Sequence, residues 1–148
     1  MRKIISSIFF ISAFCIASNQ IFAQCKCSLQ NTVQEAFKRS DVVFAAKVIE
    51  AKKISEKNTD NYDVLVKFEV EQAWKQDLEK FVTVKAFQGR VTYFEQGSEW
   101  LLYASKNEDG TFKIVIHCCS RTKLLSVTSG DLKSFEEMGE KPKRILEN

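Results

Sequence analysis

The residues able to do chemistry in this 148-residue chain gather at two places, Cys25-Lys26-Cys27 near the start and His117-Cys118-Cys119 near the end. Thiols and a lone imidazole offer three options: a zinc site, a thiol–imidazole nucleophile, or disulfides. A zinc site would draw on Cys25, Cys27, His117 and Cys119, but C-x-C is an unusual ligand spacing, so no metal of the chain's own is expected. A nucleophilic pair of His117 with Cys118 is disfavoured because neighbours on a strand point to opposite faces. No G-x-S-x-G, HExxH or glycine-rich phosphate loop occurs. The expectation is therefore no catalytic residue, no enzyme and no cofactor, and the sulfur chemistry reads as disulfide formation.

The start of the chain agrees with that chemistry. Arg2 and Lys3 precede a largely apolar run from Ile4 to Ile16, and Ile21-Phe22-Ala23 ends on a small residue. This is the pattern of a secretory signal, residues 1–23, cleaved after Ala23. Such a cut leaves Gln24 first, whereas a cut after Gln24 would free the amine of Cys25. A lipid anchor on Cys25 is the less favoured alternative. The apolar run is short for a membrane span, and no later stretch is long enough for one. The expected location is outside the cell or in a periplasm.

Cys15 leaves with the signal, so four of the five cysteines remain, an even number in an oxidising compartment. Pairing Cys25 with Cys27, or Cys118 with Cys119, would close small strained rings, so crossed pairing is favoured. Each crossed bridge closes a loop of roughly 90 residues, worth on the order of 4 kcal/mol in the chain-entropy account. Cys118 and Cys119 would face opposite sides of a regular strand. Either a bulge or turn there permits two bridges, or one bridge forms.

Removing Arg2 and Lys3 from 22 basic residues leaves 20 against 19 acids. That balance lacks the basic excess that nucleic-acid binding requires. About 125 residues remain, enough for one domain (residues 24–140) with a single core and a frayed tail at 141–148.

Several elements must position these groups. Asn31 or Thr32 caps a first helix, with Glu35 placed for a capping box and Val33, Ala36 and Phe37 as its apolar stripe. Val42 to about Lys52 is too uniformly apolar to alternate and reads as a central strand. Tyr62 to Trp74 alternates well, with Val64, Val66, Phe68 and Val70 on one face and Lys67, Glu69 and Glu71 on the other. Phe81–Ala86 makes a third strand after a hairpin connection at 75–79. Residues 88–97 read as a loop with a short strand at Val91–Phe94. Trp100–Ala104 is a fourth strand, Asn107-Glu108-Asp109-Gly110 a turn, and Phe112–His117 the return strand. An extended piece at Leu124-Leu125 precedes a last helix capped by Ser129, with Leu132, Phe135 and Met138 on one face. Five strands with a helix at either end fit a mainly β fold: an antiparallel five-stranded Greek-key barrel of the OB type with flanking amino- and carboxyl-terminal helices. An immunoglobulin-like sandwich would want about seven strands.

Three stretches resemble one known family in order and spacing. The C-x-C start followed by Glu35-Ala36-Phe37-Lys38-Arg39-Ser40-Asp41-Val42-Val43-Phe44-Ala45-Ala46-Lys47-Val48 is similar to the opening of tissue inhibitors of metalloproteinases and related netrin-like modules. Phe94-Glu95-Gln96-Gly97-Ser98-Glu99-Trp100-Leu101-Leu102-Tyr103-Ala104 resembles the family's F-x-x-G-x-x-Y-L-(V/L)-Y-A strand. Cys119-Ser120-Arg121-Thr122 resembles its C-x-R-T close, again followed by a helix. The likeness spans nearly all of the mature chain and covers only the amino-terminal domain of the animal inhibitors.

The resemblance implies an OB barrel with the C-x-C strapped across it by disulfides through Cys25, Cys27, Cys118 and Cys119. Ser120, Arg121 and Thr122 would form its structural motif. In the animal inhibitors the α-amino group and carbonyl of the first cysteine chelate the protease's catalytic zinc. Carried over, Cys25 would be that residue, with Lys26, Cys27 and Ser28 along the protease cleft. The implied partner is a protein, in the sharpest form a zinc metalloprotease. The alternative is a disulfide-stapled extracellular or envelope module that binds other molecules without inhibiting any protease.

Overall fold

A computed structural model describes residues 32–54, 62–88, 94–115 and 120–147. The first helix, α1 (Val33–Arg39), starts as its sequence dictates. Thr32 Oγ1 accepts from the Glu35 amide at 3.2 Å, and Glu35 Oε2 accepts from the Thr32 amide at 3.3 Å. Its apolar positions Ala36 and Phe37 are buried.

Among the described residues eight strands follow: β1 (Val42–Lys53), β2 (Tyr62–Trp74), β3 (Leu78–Glu79), β4 (Phe81–Gln88), β5 (Glu99–Lys106), β6 (Phe112–Val115), β7 (Lys123–Leu124) and β8 (Ile145–Leu146). The fold is mainly β, a closed five-stranded barrel of the OB kind with two flanking helices. Its order is β1–β2–β4–β6–β5, and β5 returns to pair with β1 from Val42↔Ala104 to Lys47↔Glu99. β1 is hydrogen-bonded on both edges and bends through irregularities at Ala45/Ala46 and Val48/Glu50. Asp41 fastens the closure, because its Oδ2 accepts from the Lys106 amide at 2.7 Å.

The barrel is not antiparallel throughout, as the sequence alone leads one to expect. The β5–β6 hairpin turns at 107–111, where Gly110 adopts φ +86°, and brings β6 back antiparallel to β5. The far edge of β6 then meets β4 running the same way, with Val84↔Phe112 to Phe87↔Val115 in register. A parallel seam is what a Greek-key crossover produces when the fifth barrel strand is inserted between the third and fourth.

β2 behaves as its alternation predicts: Val64, Val66, Phe68 and Val70 are buried while Leu65 and Lys67 are exposed. β1 does not alternate, because both of its faces are covered. Val42, Phe44, Ala46 and Val48 point into the barrel. Val43 and Ala45 point outward into a second apolar layer with Leu101, Trp74, Phe37 and Phe135. That layer is roofed by α1 and by α2 (Ser129–Glu137). The Phe135 ring lies 5.0 Å from both Phe37 and Trp74, centroid to centroid.

Two further expectations need correction. The residue before α2 is Thr128, and Ser129 is already helical. Thr128 turns its hydroxyl back to the Leu125 carbonyl at 2.8 Å, closing the 3₁₀ turn Leu125–Val127 rather than capping the helix. The tail expected to fray is instead paired: β8 lies parallel to β3, and Lys143 bridges Ala73. Its polar sequence conceals this because the contacts that hold it are mostly backbone hydrogen bonds. The expected short strand at Val91–Phe94 falls largely outside the described residues.

Candidate functional site

Of the site residues expected from sequence, Ser120, Arg121 and Thr122 are described. Cys25, Lys26, Cys27, Ser28, His117, Cys118 and Cys119 lie outside the described residues. The three described residues converge on Tyr103 of β5 and on α2. Thr122, buried at 4% exposure, accepts from the Tyr103 amide at 3.0 Å, and its own amide donates to Ser120 Oγ at 3.2 Å. Arg121 grips Asp131 with two nitrogens: Nε donates to Oδ2 at 3.0 Å, and a terminal nitrogen donates to Oδ1. The Tyr103 hydroxyl donates to the same Oδ2 at 2.6 Å.

Asp131 is the centre of this group, and it was not among the residues singled out from sequence. It sits on the buried side of α2, four residues before Phe135. An acid on the apolar stripe of a helix must find a donor, so its spacing was the available signal. The electrostatics follow from the geometry. Burial and the neighbouring Asp131 carboxylate push the Tyr103 phenol well above its ordinary value. The hydrogen bonds that Arg121 donates to Asp131 likewise raise the pKa of its guanidinium. Such a bidentate arginine–carboxylate pair with a third donor is a brace: it ties residues 120–122, which lead into β7, to β5 and α2 and leaves the carboxylate little capacity for an outside ligand.

Lys75 was missed as well. It follows β2 in the left-handed region at φ +72°, uncommon for a residue with a side chain. Its ammonium reaches back to the carboxyl end of α1, donating to the carbonyls of Phe37 (2.8 Å), Lys38 (3.4 Å) and Ser40. It also lies 5.3 Å from the centroid of the Phe37 ring. A cation there satisfies orphan helix carbonyls and suits the helix dipole. No local pattern announces it, because lysine and carbonyls are more than 30 residues apart in sequence.

A groove of about 440 Å³ is lined by Gln76 and Asp77, the residues that follow Lys75, with Phe81, Lys106, Thr111 and Leu146 among others. Its Asp77 carboxylate is taken up by Arg144, whose amide, Nε and a terminal nitrogen all donate to it at 2.9–3.1 Å. Those bonds hold the Asp77 carboxyl below the usual carboxylate range. Among the described residues no cluster of three or more His, Cys, Asp or Glu side chains is placed to hold a metal ion. No helix among them is long and apolar enough to cross a membrane. No protein-family model matches the chain, and no curated protein sequence matches it.

Proposed function

We propose that this chain is an exported protein-binding module related to tissue inhibitors of metalloproteinases and netrin-like domains. Its amino-terminal segment is the recognition element, and inhibition of a zinc endopeptidase is the sharpest form of that role. In this scheme disulfides from Cys25 and Cys27 to Cys118 and Cys119 anchor the segment to the barrel. The α-amine and carbonyl of Cys25 close a five-membered chelate on the protease's zinc, and Lys26, Cys27 and Ser28 lie along its cleft.

One observation carries this proposal: the two later stretches that resemble the family meet in space. Tyr103, from the strand motif, is hydrogen-bonded through its amide to Thr122 and shares Asp131 with Arg121, both from the C-x-R-T close. Residues directly after Cys119 are thus rigidly braced, as a platform for a stapled segment needs to be.

A second role, a stapled module that binds other molecules without touching a protease zinc, is favoured by Gln24. Cleavage after Ala23 would leave that residue in front of Cys25, and its cyclisation would remove the chelating amine. The experiment is to determine the amino terminus of the exported protein by mass spectrometry and to titrate it against a zinc endopeptidase such as thermolysin or a collagenase. A form beginning at Cys25 is expected to inhibit at one-to-one stoichiometry, and one beginning at Gln24 is not. Absence of inhibition by the Cys25 form removes the inhibitor role and leaves the second.

A further inference from the structure

The turn between β2 and β4 holds both ends of the described chain. On one side Lys75 closes the carboxyl end of α1 through three carbonyls. On the other, the carboxyl-terminal segment brackets the same turn before and after Lys75. The Lys143 amide donates to the Ala73 carbonyl at 2.8 Å, and Arg144 seizes Asp77. The Leu78 amide donates to the Arg144 carbonyl at 3.2 Å, and the Lys80 amide to the Leu146 carbonyl at 2.9 Å. Residues 73, 77, 78 and 80 are thereby pinned around one residue in a left-handed conformation, which persists only where its surroundings over-determine it.

The helix it grips cannot stand alone. α1 has seven residues, far fewer than an isolated helix needs in water. Inside the fold it is held by Phe37 in the outer apolar layer and by Lys75. Cys27 lies only five positions before Thr32, the cap of α1. Whatever orients α1 therefore orients Thr32, the first described residue after Cys27 in the chain.

We propose that the carboxyl-terminal strand, acting through the 75–80 turn, positions Lys75 and with it α1, so that the tail controls how firmly α1 is held on the barrel. Lys75 is a positioning residue in this device, and Asp77 is the point at which the tail acts on it. What α1 is held for rests on the function proposed above; the coupling itself does not.

The test is amide hydrogen exchange on the full exported chain, which needs no partner. Lys75→Met keeps the aliphatic stem and removes the donors, and is expected to speed exchange across residues 33–40 about tenfold while amides of β2 hold their rates. Asp77→Ala touches nothing in α1, yet is expected to speed the same amides about threefold. The double variant should match Lys75→Met alone in α1, since both changes act along one path. Lys75→Arg, which retains donors that reach carbonyls, should restore most of the protection. Unchanged α1 exchange in Asp77→Ala, additive effects in the double variant, or failure of arginine to rescue overturns the coupling. A wild-type chain that inhibits no endopeptidase overturns only the function, because the exchange pattern is read without it.

Discussion

β1 is a wall shared by two apolar layers that are held together in different ways. The barrel interior, with Phe44, Phe68 and Val66 fully buried, is enclosed by a ring of backbone hydrogen bonds that passes through five strands. The outer layer, under α1 and α2, has no such ring. Its two helices are seven and nine residues long and depend on pins from distant positions: Lys75 on α1, and Tyr103 with Arg121 on Asp131 of α2. The interior follows from a repeating pattern, whereas the outer layer follows from a few particular polar side chains. The Ser120–Thr122 platform proposed to serve function adjoins the second kind of structure.

Large truncations should separate the layers most clearly. Phe68→Ala is expected to cost about 3–5 kcal/mol, with all amides losing protection together, as measured by denaturant unfolding and hydrogen exchange. Phe135→Ala removes a ring of the same size from the outer layer. Exchange should then rise in both helices while β2 and β4 keep their protection. Uniform loss in both variants would mean that the two layers are one cooperative unit.

Asp131→Ala comes next, at about 2–3 kcal/mol, because it strands a partly buried guanidinium and a half-buried phenol. Its unfolding midpoint should fall and the α2 amides should exchange first. Tyr103→Phe is smaller at neutral pH, about 1.5 kcal/mol for one hydrogen bond to a charged acceptor. Its pH dependence sharpens the picture. In the fold the Tyr103 phenol keeps its proton above pH 10, the ordinary tyrosine value, where the unfolded chain gives its proton up. The unfolded state then binds fewer protons, so stability falls as pH rises past 10. Denaturant midpoints between pH 9 and 11 should drop more steeply in the wild type than in Tyr103→Phe. At the bottom of the scale, Glu137→Gln breaks the exposed Lys133–Glu137 pair on α2 and should change stability by less than about 0.5 kcal/mol.

The sequence made the interior legible and left much of the outer layer hidden. Val64, Val66, Phe68 and Val70 alternate because one face of β2 meets the core, and Thr32 with Glu35 announces the start of α1. The uniform apolar run of β1 marked a strand covered on both sides without saying by what. The parallel β4–β6 seam was hidden because pairing partners are chosen by topology, and nothing in Phe112–Val115 encodes the direction of its neighbour. Ser120, Arg121 and Thr122 were legible as a motif, but their partner Asp131 was not, since sequence spacing shows a buried acid without naming its donors. Lys75 and the tail from Lys143 to Leu146 were least legible. Their roles consist of one ammonium on distant carbonyls and of backbone hydrogen bonds, neither of which leaves a periodic trace.

The central claim is that the exported chain presents an amino-terminal segment tied by sulfur to the end of its barrel. Intact-mass analysis of the non-reduced exported protein tests it most directly. The account predicts a chain lacking residues 1–23 or 1–24 and lighter by four hydrogens than its fully reduced form, with both bridges joining the Cys25-Cys27 peptide to the Cys118-Cys119 peptide after digestion. A mature chain carrying four free thiols would contradict it.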